Sequence, residues 1–127
     1  MADVTAKRIP DMEGAFGGAF KKARAELGVM SFGMAVIDMP AGAGDRYPEH
    51  DHTGDGQEEV YLALRGWGTL VVEGEEFVLD DETIVRVGPT ARRKLFAGPD
   101  GVRMLVLGGV PAGVYEPPAF SELRSPP

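Results

Sequence analysis

Two histidines and a glutamate carry the chemistry that this sequence can offer. His50 and His52 are the only histidines in the chain. They lie two residues apart in "YPEHDHTGDGQEEVYLALRG", and Glu59 opens the apolar run that follows. In an extended segment, residues two apart project to the same face. The spacing therefore places both imidazoles on one side, where Glu59 can meet them from a neighbouring strand. Two imidazoles and a carboxylate suit Fe, Mn, Ni, Co or Zn and leave positions for water or substrate. Such a site needs neutral imidazoles, so it weakens below about pH 6. A solvated acidic loop with two exposed histidines has the same pattern, because the stretch also contains Glu49, Asp51, Asp55 and Glu58.

The elements that must position these residues read as short strands. An N-terminal arm (1–14) is loose or an edge strand. "GGAFKKARAELG" predicts a short helix near 18–27, stopped at Gly28. A buried strand is expected over 29–39, and an extended segment over 45–52, where Pro48 biases its predecessor away from helix. "EVYLALRG" and "WGTLVVEG" read as successive strands. "TLVVEGEEFVL" reads as a hairpin turning at Glu73 and Gly74. "TIVRVGP", "ARRKLFA" and "VRMLVLGGV" complete about eight strands, with a turn at "GPDG". The tail from Pro111 to Pro127 is Pro-rich and reads as an extended strap with aromatic anchors. The expected organisation is one domain over 1–127: an arm and helix (1–28), a β core (about 29–115) and a tail (111–127).

Composition narrows the function classes. With no cysteine, disulfides, thiolate metal sites and Cys nucleophiles are excluded. The net charge of −7 and the lack of a basic stripe argue against nucleic acid. No run is long enough to cross a bilayer and the start lacks a signal-peptide pattern, so a cytoplasmic protein without a membrane role is expected. Regular strand spacing with 18 glycines and 10 prolines favours an all-β sandwich or small barrel.

The histidine stretch resembles the first motif of the cupin superfamily. Gly44, His50, His52, Glu59 and Gly66 match that motif in order, and Glu59 stands seven residues before Gly66 as in the family. The loop between His52 and Glu59 is longer than usual and resembles a variant of small bacterial cupins. The resemblance implies a conical β-barrel (a double-stranded β-helix or jelly roll) with a divalent transition metal inside, and often a homodimer. The second motif departs from the pattern. Asp81 stands where a glycine is usual, and Gly88, Pro89 and Thr90 replace the usual turn. The fourth ligand, a histidine in the family, falls at Arg93, or at Arg92 or Lys94 if the turn register shifts by one. A guanidinium has no lone pair for a metal. An inward Arg93 would oppose a cation and pair with Glu59 or with a ligand carboxylate or phosphate. The site therefore holds either a metal on three protein ligands or no metal at all.

Three functions stay open at this stage. One is a small-molecule enzyme, with His50, His52 and Glu59 holding a metal for oxygenase or isomerase chemistry. Metal-free epimerases of the superfamily use a histidine base and a tyrosine acid, for which Tyr61, on the face of Glu59, is the candidate here. The second is a non-catalytic module that binds a small polar or anionic ligand through Arg93, with Arg86 and Tyr47 as further ligand-binding candidates. The third is a structural dimer with a degenerate site.

Overall fold

A computed structural model describes residues 2–44 and 47–124. Asp45 and Arg46 of the expected extended segment, and residues 125–127 of the expected tail, lie outside the described residues. Seven strands form one sheet: β1 (Gly14–Ala15), β2 (Phe20–Lys21), β3 (Gly33–Met39), β4 (Glu58–Val72), β5 (Glu75–Leu79), β6 (Ile84–Val87) and β7 (Arg93–Gly109). One short helix, α1 (Ala23–Leu27), separates β2 from β3. No helix among the described residues is long and apolar enough to cross a membrane.

The long antiparallel pair β4·β7 is the spine. It runs from Glu58↔Gly109 to Val72↔Arg93 with irregularities near Ala63–Gly68. The four runs expected as separate strands are thus two continuous, bent ones. Gly66 permits the bend: its φ is 71°, and the carbonyl oxygen of Gly101 occupies the space a Cβ would need. Beyond the bend β5 pairs with β4, and before it β6 does. The β4–β5 hairpin turns at Glu73 and Gly74, both at positive φ. On the other side β3 pairs with β7 along Val102–Gly108.

The closed conical barrel expected from the resemblance is not what the chain forms. The hydrogen-bonded order is the open path β1-β2-β3-β7-β4-β5, with β6 on β4. Chain chemistry accounts for the opening. The stretch that would extend the ladder along the first half of β7 contains Pro48, which has no N–H to give. Among the described residues it makes one isolated bridge there, His50↔Arg93, while Gly42 N–H donates to the Gly98 carbonyl and Ala97 N–H to the Ala43 carbonyl outside any named strand pairing. The helix is also shorter than expected. Phe16, Gly17 and Gly18 all take positive φ in a tight turn, and Phe20–Lys21 is strand, so helix begins only at Ala23. Gly28 closes it in the left-handed conformation, as its sequence position implies.

Alternation along the strands sets the two faces. Tyr61, Ala63 and Leu70 of β4 meet Leu95, Met104 and Val106 of β7 and Ala35, Ile37 and Met39 of β3 in the main core. Leu70, Leu79 and Leu95 have no exposed surface, and truncating any of them to Ala should cost about 2–5 kcal/mol. Glu59 and Arg93 follow the same alternation, two residues before Tyr61 and Leu95, so both charged side chains are directed into the molecule. The opposite face of β3 is covered at Val36 by Met12 and Ala23.

Candidate metal centre

His50, His52 and Glu59 converge. Their nearest ligand atoms all lie within 4.8 Å of one another. The backbone fixes the two histidines separately. His50 exchanges both backbone hydrogen bonds with Arg93, at 3.0 and 2.9 Å. The N–H of His52 donates to the carbonyl of Pro89 at 2.8 Å, and its carbonyl accepts from Gly56 at 2.7 Å. The rings stand 5.1 Å apart and nearly perpendicular.

Hydrogen bonding assigns the ring nitrogens. His50 Nδ1 lies 3.0 Å from the carbonyl of Pro48, which can only accept, so Nδ1 carries the proton and Nε2 is free. His52 Nδ1 lies 3.0 and 3.1 Å from the two carboxylate oxygens of Asp55, with the same consequence. Asp55 is itself held by the backbone and side-chain amides of Gln57. Both Nε2 lone pairs are thereby turned toward Glu59. Acceptors behind metal-binding imidazoles do this work in metal sites generally. His52 Nε2 is buried without a hydrogen-bond partner: it is 3.2 Å from Glu59 Oε1, but not aligned as a hydrogen bond. An orphaned buried nitrogen beside a carboxylate and a second imidazole fits a divalent cation among the three.

Glu59 Oε1 is a hub. It accepts from Tyr61 Oη at 2.7 Å and lies 3.8 Å from His50 Nε2 and 3.5 Å from Arg93 Nη1. Burial alone would raise the Glu59 pKa. Contacts from both histidines, the charge on His52 and the Tyr61 hydroxyl outweigh it and hold the carboxyl well below its ordinary range. Burial pushes Tyr61 upward, and Tyr47 and Glu59 add to the shift, so Tyr61 stays a proton donor. Tyr47 is also pushed up, first by burial and then by the Glu59 charge. Its ring lies 5.8 Å from that of His50. His52 is raised, chiefly by the Glu59 carboxylate, with burial opposing and Asp55 assisting.

Of the three candidates for the fourth position, Arg93 is the residue beside the cluster. It has no exposed surface. Nη2 donates to the carbonyl of Gly88 at 2.7 Å, while Nε and Nη1 are buried without hydrogen-bond partners. Arg92 is exposed and pairs with Glu49 and Asp51. Lys94 reaches the carbonyl of Tyr47. Arg86 lies apart from the cluster, exposed and paired with Glu58 at 2.7 Å. Asp55, Gln57 and the carbonyls of Pro48 and Gly88 were not singled out from the sequence. Only Asp55 left a trace there, as a carboxylate three residues after His52 in a glycine-rich turn.

The cluster opens into a cavity of about 1400 Å³. Tyr47, His50, His52 and Glu59 line its polar end, and Phe16 and Phe120 stand at the other.

No family model and no curated protein matches the chain. Solved structures do. A cupin protein from Bacteroides fragilis superposes over 99% of both chains with a TM-score of 0.69 at 22% identity. A sugar phosphate isomerase of the cupin superfamily from Silicibacter pomeroyi matches 84% of this chain and 76% of its own, with a TM-score of 0.65 at 15% identity. An RmlC-like cupin from Desulfovibrio desulfuricans matches 63% and 73%, with a TM-score of 0.55 at 18% identity. At such identities the likeness shows the fold alone: the chain has a cupin-type fold, here as an open sheet.

Proposed function

We propose that this chain is a metal-dependent small-molecule enzyme whose centre is His50, His52 and Glu59, and that its reaction is a dioxygenation. One observation carries the metal. Each imidazole has its Nδ1 occupied by an acceptor, and both Nε2 atoms face one carboxylate oxygen within 4.8 Å. A bound divalent metal of the iron or manganese type supplies activation of dioxygen and open positions for substrate.

The remaining roles belong to the chain. Asp55 and the Pro48 carbonyl keep the imidazoles in the ligating tautomer. Tyr61 donates to Glu59 and fixes its rotamer. Arg93 lies behind the carboxylate and balances its charge. Tyr47 lines the approach beside His50.

Isomerisation, the activity named for the Silicibacter pomeroyi protein, is supported less well. It needs a base near neutral pKa to move a proton next to a carbonyl. Glu59 is held too acidic, Tyr47 and Tyr61 too basic, and both imidazoles are committed as ligands. A dioxygenation places both atoms of dioxygen in the product and needs neither a protein base nor an outside reductant.

A second reading has its own observation. With Arg93 Nη1 at 3.5 Å from Glu59 Oε1, the guanidinium can stand in for the cation and leave a metal-free binding pocket. Elemental analysis of untagged protein separates the two. Close to one transition metal per chain, lost in the His50→Ala/His52→Ala double variant, supports the enzyme. Oxygen uptake with a small-molecule panel then tests the reaction. No metal after loading with Fe, Mn, Ni and Zn overturns the metal centre and leaves the pocket.

A further inference from the structure

The cavity has two unlike ends. Away from the proposed metal centre an aromatic cluster lines it. Phe16, Phe20 and Phe120 meet there, with ring centroids 5.2, 5.4 and 6.3 Å apart, and Ile37 and Val106 line the cavity wall. The three rings come from separate places: the β1–β2 turn, β2 itself and the short helical turn Ala119–Ser121 near the C-terminus. Phe16 is unusual in two ways. Its φ is 55°, a conformation that costs a bulky residue, and 71% of its surface is exposed. An aromatic ring held at a cavity mouth at such a cost marks a surface with a use.

The charged residues of the cavity point the same way. Lys22 and Arg24 line it and are buried, and each is ion-paired with a carboxylate of the chain, although Arg24 Nε keeps no hydrogen-bond partner. Lys22 Nζ donates to Glu13 Oε2 at 2.6 Å and to the Glu122 carbonyl at 2.8 Å. Arg24 donates to Glu122 Oε1 at 2.6 Å and to the Val29 carbonyl at 2.9 Å. Arg93 has no exposed surface. Among the described residues the polar end instead presents Asp51, Asp55 and Glu59. In the metal-free protein a phosphate there would meet these three carboxylates, and the neighbouring Arg93 is closed off from the cavity.

From these two observations we infer that the cavity takes a small aromatic molecule with one oxygen-bearing head, uncharged or singly charged, and not a sugar phosphate. The ring lies against Phe20, Phe120 and Ile37, and the head reaches His50, His52 and Glu59. Such a ligand matches both ends of the cavity, because ring packing supplies affinity and the polar end fixes orientation. The placement of the head rests on the proposed metal centre, whereas the placement of the ring does not.

The test uses chelator-treated full-length protein and the neutral fluorophore N-phenyl-1-naphthylamine. We expect saturable binding with a fluorescence rise, about tenfold weaker in Phe120→Ser, whose side chain is half exposed. Phe20→Ser should behave alike, with melting temperatures confirming that both variants fold. Catechol should displace the fluorophore, and glucose 6-phosphate should not. Equal binding by wild type and both variants, or displacement by glucose 6-phosphate but not catechol, overturns the inference. The His50→Ala/His52→Ala variant keeps the outcomes distinguishable. Retained fluorophore binding there, with no metal found in wild-type protein that has not met the chelator and none taken up on loading, means that the metal centre fails while the aromatic site stands.

Discussion

The two strands of the β4·β7 spine each send one charged side chain into the molecule, and their settings are unequal. Glu59 arrives where β4 begins and finds four polar neighbours: His50, His52, Tyr61 and Arg93. Arg93 arrives where β7 begins and finds one hydrogen-bond acceptor, the Gly88 carbonyl, with two nitrogens left unpartnered. The carboxylate is over-supplied and the guanidinium is under-supplied. A buried ion pair costs most when the group lost was the survivor's main counter-charge. The cation therefore depends on the carboxylate more than the carboxylate depends on the cation.

Breaking the pair from each side tests that inequality. Glu59→Gln should have the largest effect, a loss of about 3–5 kcal/mol in denaturant unfolding of the metal-free protein, because it leaves Arg93 buried without a counter-charge. The same variant should bind no transition metal. Arg93→Met should cost clearly less, since Glu59 keeps both histidines and Tyr61. Equal losses from the two variants would contradict the inequality.

Arg93→His sharpens the comparison in the other direction. It removes a positive charge 3.5 Å from the carboxylate and offers an imidazole in its place. Unit charges about 4 Å apart at an effective dielectric near 20 interact by about 4 kcal/mol. Allowing for imperfect geometry, the metal dissociation constant should tighten by about 100-fold, read by competition with a chromophoric chelator. An unchanged constant would mean that the guanidinium is not what limits metal binding. Asp55→Asn has a smaller effect of opposite sign. It leaves the shape of the turn but weakens the hold on the His52 tautomer, so affinity should fall about 10-fold. No loss would mean that the turn backbone alone orients the ring.

The convergence of the cluster residues was legible in the sequence because alternation is a local rule. His50, His52 and Glu59 need only an extended chain and a strand start to share a direction. That Arg93 is buried while Arg92 is exposed and Lys94 only partly buried was not legible, since their facing depends on where β7 starts relative to the Gly88–Pro89 turn. The open sheet was hidden for a related reason. An apolar run shows that a strand exists but not whether its outer edge finds a partner, and Pro48 removed a donor where a ladder would need one. Asp55 escaped notice because acidic residues are common in loops, and only the fold shows that this one faces an imidazole. The aromatic end of the cavity joins segments about a hundred residues apart, which no local pattern reveals.

The smallest expected effect concerns pH, and its sign differs between the two states of the site. In the metal-free protein the His52 pKa is raised above its ordinary value of 6.5, chiefly by Glu59. A raised pKa means that the folded state holds the proton more tightly than the unfolded chain does. This contribution to stability is fully present below about pH 6.5 and fades as pH rises through the folded-state value. Metal binding runs the opposite way, because the cation must displace that proton. Affinity should rise about tenfold per pH unit below the folded-state value and level off above it. The Glu59 carboxyl, held low, adds stability above its ordinary 4.5 that is lost only in stronger acid, so it leaves the neutral range to His52. Melting curves from pH 5.5 to 8.5, with and without zinc, should thus show stability falling with pH in the metal-free protein relative to His52→Gln, and the zinc-induced gain growing. Parallel profiles would show that His52 neither holds the extra proton nor gives it up to the metal.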